Sequence, residues 1–252
     1  MSGHSKWSTI KHKKAAVDAK RGKIFSRYSK EITLAVRAGG KDAEMNPRLR
    51  TALAAAKTQN MPNDNIDRAI KKGAGELQGA VIEELNFEGY APGGVGIVVT
   101  ALSDNRNRTA AEIRNIFTKN NGSMAATGAV AWQFHRKARF TVEGAGLTED
   151  SLLETLLNAG VDVEDVTCQD GIGEVTAPPE AFADVAKALE AAKLKVSESS
   201  IAMVPENMTE ATEEGLARQA VRLIDALEDN DDVQAVYHNL CIPDEMAEKL
   251  AS

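Results

Sequence analysis

The fold turns on residues 130–204, VAWQFHRKARFTVEGAGLTEDSLLETLLNAGVDVEDVTCQDGIGEVTAPPEAFADVAKALEAAKLKVSESSIAMV. Val130–Val142 reads as a strand, and the 3.6-residue apolar period makes Glu149–Ala159 a helix. Asp162–Cys168 and Gly173–Ala177 read as strands joined by a turn at Asp170-Gly171. Pro179–Lys193 reads as a helix and Lys195–Val204 as a strand. The order is βαββαβ, the ferredoxin-like or split βαβ unit, which closes on itself.

The flanks of this unit are each incomplete. On its N-terminal side, Leu85–Tyr90 and Val95–Leu102 read as strands joined by the hairpin turn Ala91-Pro92-Gly93-Gly94. Arg106–Lys119 follows as an amphipathic helix with Ile113, Ile116 and Phe117 on one face. On the C-terminal side come a helix from Glu213 to about Glu228, a strand over Val233–Leu240 and a short tail helix. Neither flank can bury a core alone. The economical solution joins residues 79–129 and 207–252 into one α+β domain, with residues 130–206 inserted in it.

Residues 1–78 read as helical. An extended arm to about Lys14 leads into a helix from about Ala15 to Arg37, stopped by Gly39-Gly40. Asn46-Pro47 caps a second helix to about Thr58, and Met61-Pro62-Asn63 opens a third that ends at Gly73. The expected class is therefore α+β multidomain: an N-terminal three-helix bundle plus two α+β domains, one inserted in the other.

Charge divides along the same boundary. The chain has a net charge of −7, yet its first 75 residues hold 17 Lys and Arg against 6 Asp and Glu. The remaining residues hold 13 against 31. A segment so basic in an acidic chain points to a polyanion partner, because cations condense on phosphates whatever the average charge of the molecule. No apolar run approaches the roughly 18 residues of a membrane span. The start has no apolar core behind its lysines, so no secretory leader is expected. Two cysteines in unrelated contexts fit a reducing cytoplasm and no disulfide framework.

Several motifs resemble one family. Gly3-His4-Ser5-Lys6-Trp7 opens the chain. Met61-Pro62-Asn63-Asp64-Asn65-Ile66 precedes Arg68-Ala69-Ile70-Lys71-Lys72. Glu88-Gly89-Tyr90-Ala91-Pro92-Gly93-Gly94 and Ser103-Asp104-Asn105-Arg106-Asn107-Arg108-Thr109 follow. Leu223-Ile224-Asp225-Ala226-Leu227-Glu228-Asp229 and Tyr237-His238-Asn239 complete the set. In this order they resemble the YebC/PmpR family over essentially the whole chain. Only the turn at 120–126 departs, being poorer in glycine. The resemblance implies three domains and a cytoplasmic regulator of gene expression rather than an enzyme. Members are described as probable DNA-binding transcriptional regulators. Related members, including mitochondrial activators of cytochrome c oxidase translation, work with the ribosome.

The residues themselves supply a binding surface. On the first helix, Lys13, Lys20, Lys23, Arg27 and Lys30 share a band, beside an apolar band of Val17, Ile24, Phe25, Tyr28, Ile32 and Ala35. If the apolar band packs on Leu49, Leu53, Ile66 and Ile70, the basic band faces solvent as a ridge. An ordinary solubilising face would mix signs. Here Asp18 is the lone acid between Ser2 and Lys30. The arm adds Lys6, Trp7, Lys11 and Lys14, with Trp7 either stacking on a base or anchoring the arm to the bundle. The third helix adds Arg68, Lys71 and Lys72, cations suited to positioning a phosphate backbone rather than reading bases. Arg106 and Arg108 are a secondary contact or part of a strand-to-helix turn capped by Asp104 or Asn105.

Promoter DNA and ribosomal RNA fit these residues equally. Transcription is placed first on the family description, ribosome-linked translation second, and a protein scaffold without nucleic acid third. The acidic domains are expected to face away from a polyanion or to contact protein. The run Glu228-Asp229-Asn230-Asp231-Asp232 is unfavourable at a helix C-terminus unless something cationic meets it.

No catalytic pattern emerges. Gly93-Gly94-Val95-Gly96 precedes a strand, whereas a dinucleotide fingerprint follows one. There is no phosphate-loop lysine motif and no nucleophile elbow. His4 and His12 lack the further ligands of a metal site, and the acidic run lacks calcium-loop spacing. No cofactor and no metal are expected.

Overall fold

The computed structural model describes residues 21–77 and 81–251. The arm and the start of the first helix, including Lys6, Trp7, Lys11, Lys13, Lys14 and Lys20, lie outside the described residues.

Three helices form the N-terminal bundle: α1 (Arg21–Gly39), α2 (Pro47–Thr58) and α3 (Asn63–Gly73). Their apolar stripes meet in a core of Ile32, Ala35, Val36, Leu49, Ala52, Ala56, Met61, Ile66 and Ala69, edged by Phe25, Tyr28, Leu53 and Ile70. The turn between α1 and α2 is held by one buried side chain. Asn46 Oδ1 accepts from Leu49 N at 3.1 Å as N-cap, while its Nδ2 donates to Ala35 O and Gly40 O at 2.8 Å each. The end of α3 lies so close to α1 that a Cβ on Gly73 would meet Thr33 O at 2.6 Å. Glycine at that position permits the contact.

The next unit opens with the hairpin β1 (Glu83–Ala91) and β2 (Val95–Ser103), then α4 (Arg106–Lys119) and a short strand, β3 (Ser123–Ala125). After a long excursion the chain returns with β8 (Thr209–Glu210), α7 (Glu214–Glu228), β9 (Val233–His238), β10 (Leu240–Cys241) and α8 (Asp244–Ala251). The sheet order is β3-β1-β2-β9, all antiparallel, so β9 completes a sheet begun 141 residues earlier, pairing His238 with Ile97. One face of this sheet packs under α4 and α7 through Ile97, Val99, Ile113, Phe117, Leu223 and Leu227. Val98 points to the other face, where it meets Val130, Phe134, Met203 and Tyr237 at the root of the insertion. β2 is thus buried on both sides, which is why its sequence is a continuous apolar run rather than an alternation.

The excursion is the ferredoxin-like unit. It runs β4 (Phe134–Glu143), α5 (Glu149–Asn158), β5 (Asp165–Gln169), β6 (Ile172–Ala177), α6 (Phe182–Ala191) and β7 (Lys195–Pro205), with sheet order β5-β6-β4-β7. Phe140, Val142, Leu152, Leu156, Val175, Val185 and Leu189 form its separate core. The expected α+β architecture with one unit inserted in the other is the one observed.

Three details differ from the sequence reading. Residues 131–133 form a 3₁₀ turn, so the strand expected from Val130 begins at Phe134. The reason is local: the Glu88 carboxylate accepts from the backbone N–H groups of Gly128, Val130 and Ala131 at 2.6–2.8 Å and holds that backbone in a curl. The turn at 120–126 contains strand β3, and a Cβ on Gly89 opposite it would strike the Phe117 ring at 2.5 Å. The parallel pair β8–β10, with Leu240 opposite Thr209, is too short to leave a pattern in sequence.

Candidate nucleic-acid interface

The cationic stripes of α1 and α3 have different surroundings. On α1, the part of the expected solvent-facing ridge that lies within the described residues, Lys23, Arg27 and Lys30, is turned inward, and this corrects the sequence reading for those three. Lys23 Nζ donates to the backbone oxygen of Asp229 and to its Oδ1, the latter at 3.2 Å. Arg27 Nη2 donates to Glu228 O. Lys30 Nζ donates to Asp231 O at 3.0 Å and Asp232 Oδ1 at 2.7 Å. The receiving segment is the acidic end of α7. Its last carbonyls lack intrahelical donors, and its carboxylates add to the negative dipole end. Three cations one turn apart satisfy both demands, so the unfavourable acidic run has its counter-charge inside the same chain.

Asp232 is the centre of this contact. Besides Lys30, it accepts from Arg108 Nη2 at 2.8 Å and from the buried Thr109 hydroxyl at 2.6 Å. Burial alone would raise its carboxyl, but the hydrogen bonds from Lys30, Thr109 and Arg108 hold it well below the usual carboxylate range. Glu88 follows the same pattern: burial opposes ionisation, and the three backbone donors lower its carboxyl below its ordinary value. Arg27 is shifted down by burial against the pull of Glu228, Asp229 and Asp231, and its buried Nε has no hydrogen-bond partner among the described residues.

Arg108, a candidate secondary contact, is held by Asp232 and by Asp104 at 3.0 Å, and Asn105 caps α4 by accepting from Arg108 N. Its position is therefore that of a strand-to-helix turn in the interdomain joint. Arg106, two residues earlier, is exposed and has no ion pair among the described residues.

On α3 the cations stay open. Arg68 and Lys71 are exposed and Lys72 is half-buried; none forms an ion pair among the described residues. Asp64 and Asp67 stand at i, i+4 spacing from Arg68 and Lys71 on the same helix without bridging to them. Lys71 and Lys72 lie in the last turn, where cations favour the helix dipole. Elsewhere on the bundle Arg48 bridges Glu31 at 2.7 Å and Glu84 at 2.9 Å, Lys41 pairs with Glu76, and Arg50 donates to the backbone oxygens of Ala43 and Glu44, while Arg37 and Lys57 form no ion pair among the described residues. Among the described residues no group of His, Cys, Asp and Glu could hold a metal ion, and no helix is long and apolar enough to cross a membrane.

A basic three-helix bundle clamped onto a split α+β body that carries a ferredoxin-like insertion defines a three-part α+β protein. Residues 5–76 match the model of the TACO1/YebC protein N-terminal domain, and residues 82–240 match that of the TACO1/YebC second and third domain. The chain belongs to the TACO1/YebC family. Proteins from Syntrophobacter fumaroxidans and Desulfotalea psychrophila are 50% and 51% identical to it over 251 residues, covering 100% of both chains in each case. Both are named probable transcriptional regulatory proteins. The crystal structure of a conserved hypothetical protein from Aquifex aeolicus superposes with a TM-score of 0.82 at 44% identity, covering 90% of this chain and 93% of that one.

Proposed function

We propose that the protein is a nucleic-acid-binding regulator of gene expression, acting in the cytoplasm by binding rather than by catalysis. The observation that carries this reading is the cluster Arg68, Lys71 and Lys72, three cations close together on α3 that form no ion pair among the described residues. Three positive side chains within two turns of one helix supply the kind of charge that neutralises phosphates and positions a backbone without reading bases. Arg106 supplies a further exposed cation, and the sequence adds Lys6, Trp7, Lys11, Lys13, Lys14 and Lys20 as candidate contacts. Lys23, Arg27 and Lys30 serve the joint with α7 in this conformation.

Promoter DNA is the first target, because the relatives are named as probable transcriptional regulators. A specific observation favours ribosomal RNA as the second. Of the two amides on α3, Asn65 is half-buried and lines the cleft beside α1, and Asn63 is exposed at the first helical position. Contacts that position without reading suit structured RNA as well as duplex DNA. Crosslinking in cells followed by sequencing of the attached nucleic acid tests both. Discrete peaks upstream of genes would support transcriptional regulation. Peaks on ribosomal RNA would move the role to translation, and no enrichment of either would defeat the proposal.

A further inference from the structure

A cleft of about 580 Å³ lies where α1, α3 and the turn between β2 and α4 come together. Its size is that of a small-ligand site, and junctions between structural units are where such sites tend to form. The chemistry of its walls is unusual for a simple packing defect. Four cationic side chains, Lys30, Arg68, Lys72 and Arg108, face two carboxylates, Asp104 and Asp232. The two carboxylates are already satisfied by Lys30 and Arg108 on one wall. On the opposite wall Arg68 and Lys72, one helical turn apart, have no counter-charge among the described residues. The cleft is therefore positive by two charges, and the excess sits on one side.

Neutral donors complete the arrangement. Asn65 stands at i−3 from Arg68 on α3, and Ser26 and Ser29 stand at i, i+3 on the facing side of α1. Among the described residues no hydrogen bond engages these three side chains. The Phe25 ring, half-buried, adds a flat apolar wall. A guanidinium and an ammonium at one end, hydroxyl and amide donors between them, and an aromatic surface alongside are complementary to a phosphate ester attached to a planar base.

We propose that this cleft is a binding site for a single nucleotide unit, with the phosphate held by Arg68 and Lys72 and hydrogen-bonded by Asn65 and Ser29. The same chemistry is offered by a nucleotide within a strand and by a free mononucleotide. The strand is the source consistent with the proposed function, on which this assignment rests; the mononucleotide is the separate arm of the test.

The experiment uses the full chain, titrated calorimetrically with adenosine monophosphate and, by fluorescence anisotropy, with a labelled single-stranded ten-nucleotide RNA. Arg68→Gln, Lys72→Gln and the double variant are compared with Lys57→Gln, which removes a charge from α2 outside the cleft. Arg68 and Lys57 are exposed and Lys72 is half-buried, and thermal melts check that folding is unchanged. The double variant is expected to weaken RNA binding at least tenfold, and Lys57→Gln less than twofold. Saturable mononucleotide binding lost in the double variant supports the cleft independently of any strand. RNA binding that the cleft variants leave unchanged, or that Lys57→Gln weakens equally, overturns the cleft while the proposed function stands. Failure of the unaltered protein to bind RNA, with mononucleotide binding intact, keeps the cleft as a mononucleotide site and removes the strand as its occupant. Failure to bind either ligand overturns the cleft, while the proposed function is judged separately by the crosslinking experiment.

Discussion

Helices α1 and α3 each present a stripe of three cations and differ in what answers it. Lys23, Arg27 and Lys30 are met by Glu228–Asp232, about 200 residues away in the chain. Arg68, Lys71 and Lys72 are met by no carboxylate among the described residues. Counting lysines therefore ranks α1 first as a binding surface, while geometry ranks α3 first. The first stripe is a joint between the bundle and the α+β body. The second is a free face beside an open cleft. Charge density says where a polyanion would be attracted, but availability depends on whether the chain already supplies its own anion.

The sharpest way to break this contrast is to remove the anchor of the joint. Asp232→Ala strips Lys30 of its buried partner and leaves the Thr109 hydroxyl without its carboxylate. It is expected to cost about 3–4 kcal/mol in urea denaturation, with nucleic-acid affinity undiminished. A stable variant that binds poorly would mean that the joint, and not α3, makes the binding surface. Next in size, Arg68→Glu, Lys71→Glu and Lys72→Glu together should weaken duplex or RNA binding by about a hundredfold and lower the salt slope for DNA by about 2.7. The melting temperature should stay within about 2 °C, because these side chains are not used in packing. Loss of stability instead would place α3's cations in the fold.

Acid should act on the joint and spare the free face. Asp232 and Glu88 have folded values below those of unfolded carboxylates, which titrate near about 4. Their stabilisation is thus fully present above pH about 4 and is lost as pH falls through their lowered folded values, each contributing up to about 1.4 kcal/mol per pH unit. Urea midpoints at pH 7, 4 and 3 should fall less steeply for Asp232→Asn and Glu88→Gln than for the unaltered protein; parallel curves would remove these two groups from the account. The smallest expected effect is at the rim. Lys23→Gln should cost less than about 1 kcal/mol, because its partner Asp229 is 87% exposed and solvent screens the pair.

Much of the fold was legible because its signals are local. The caps at Asn46 and Asn105, the turn at Gly93-Gly94 and the βαββαβ order each leave a mark within a few residues. The two-residue strands β8 and β10 have no room for a period, and Ala131-Trp132-Gln133 resembles a strand until Glu88 is seen gripping it. The site was half legible for a similar reason. Arg68, Lys71 and Lys72 could be named from charge and spacing alone. That Lys30 would meet Asp232, or that Ser26 and Ser29 would face Asn65, depends on how distant segments dock. The acidic run did signal a missing cation, and α1 supplies it.

The joint also has a history in time. Lys30 and Asp232 are separated by 202 residues. At a synthesis rate of about 5–20 residues per second, the carboxylate is made about 10–40 s after the lysine. Throughout that interval the nascent bundle carries its α1 cations with no internal anion to receive them, and the finished molecule does not. The same helix thus presents one electrostatic surface while the chain is being made and another once its C-terminal strand has closed the sheet.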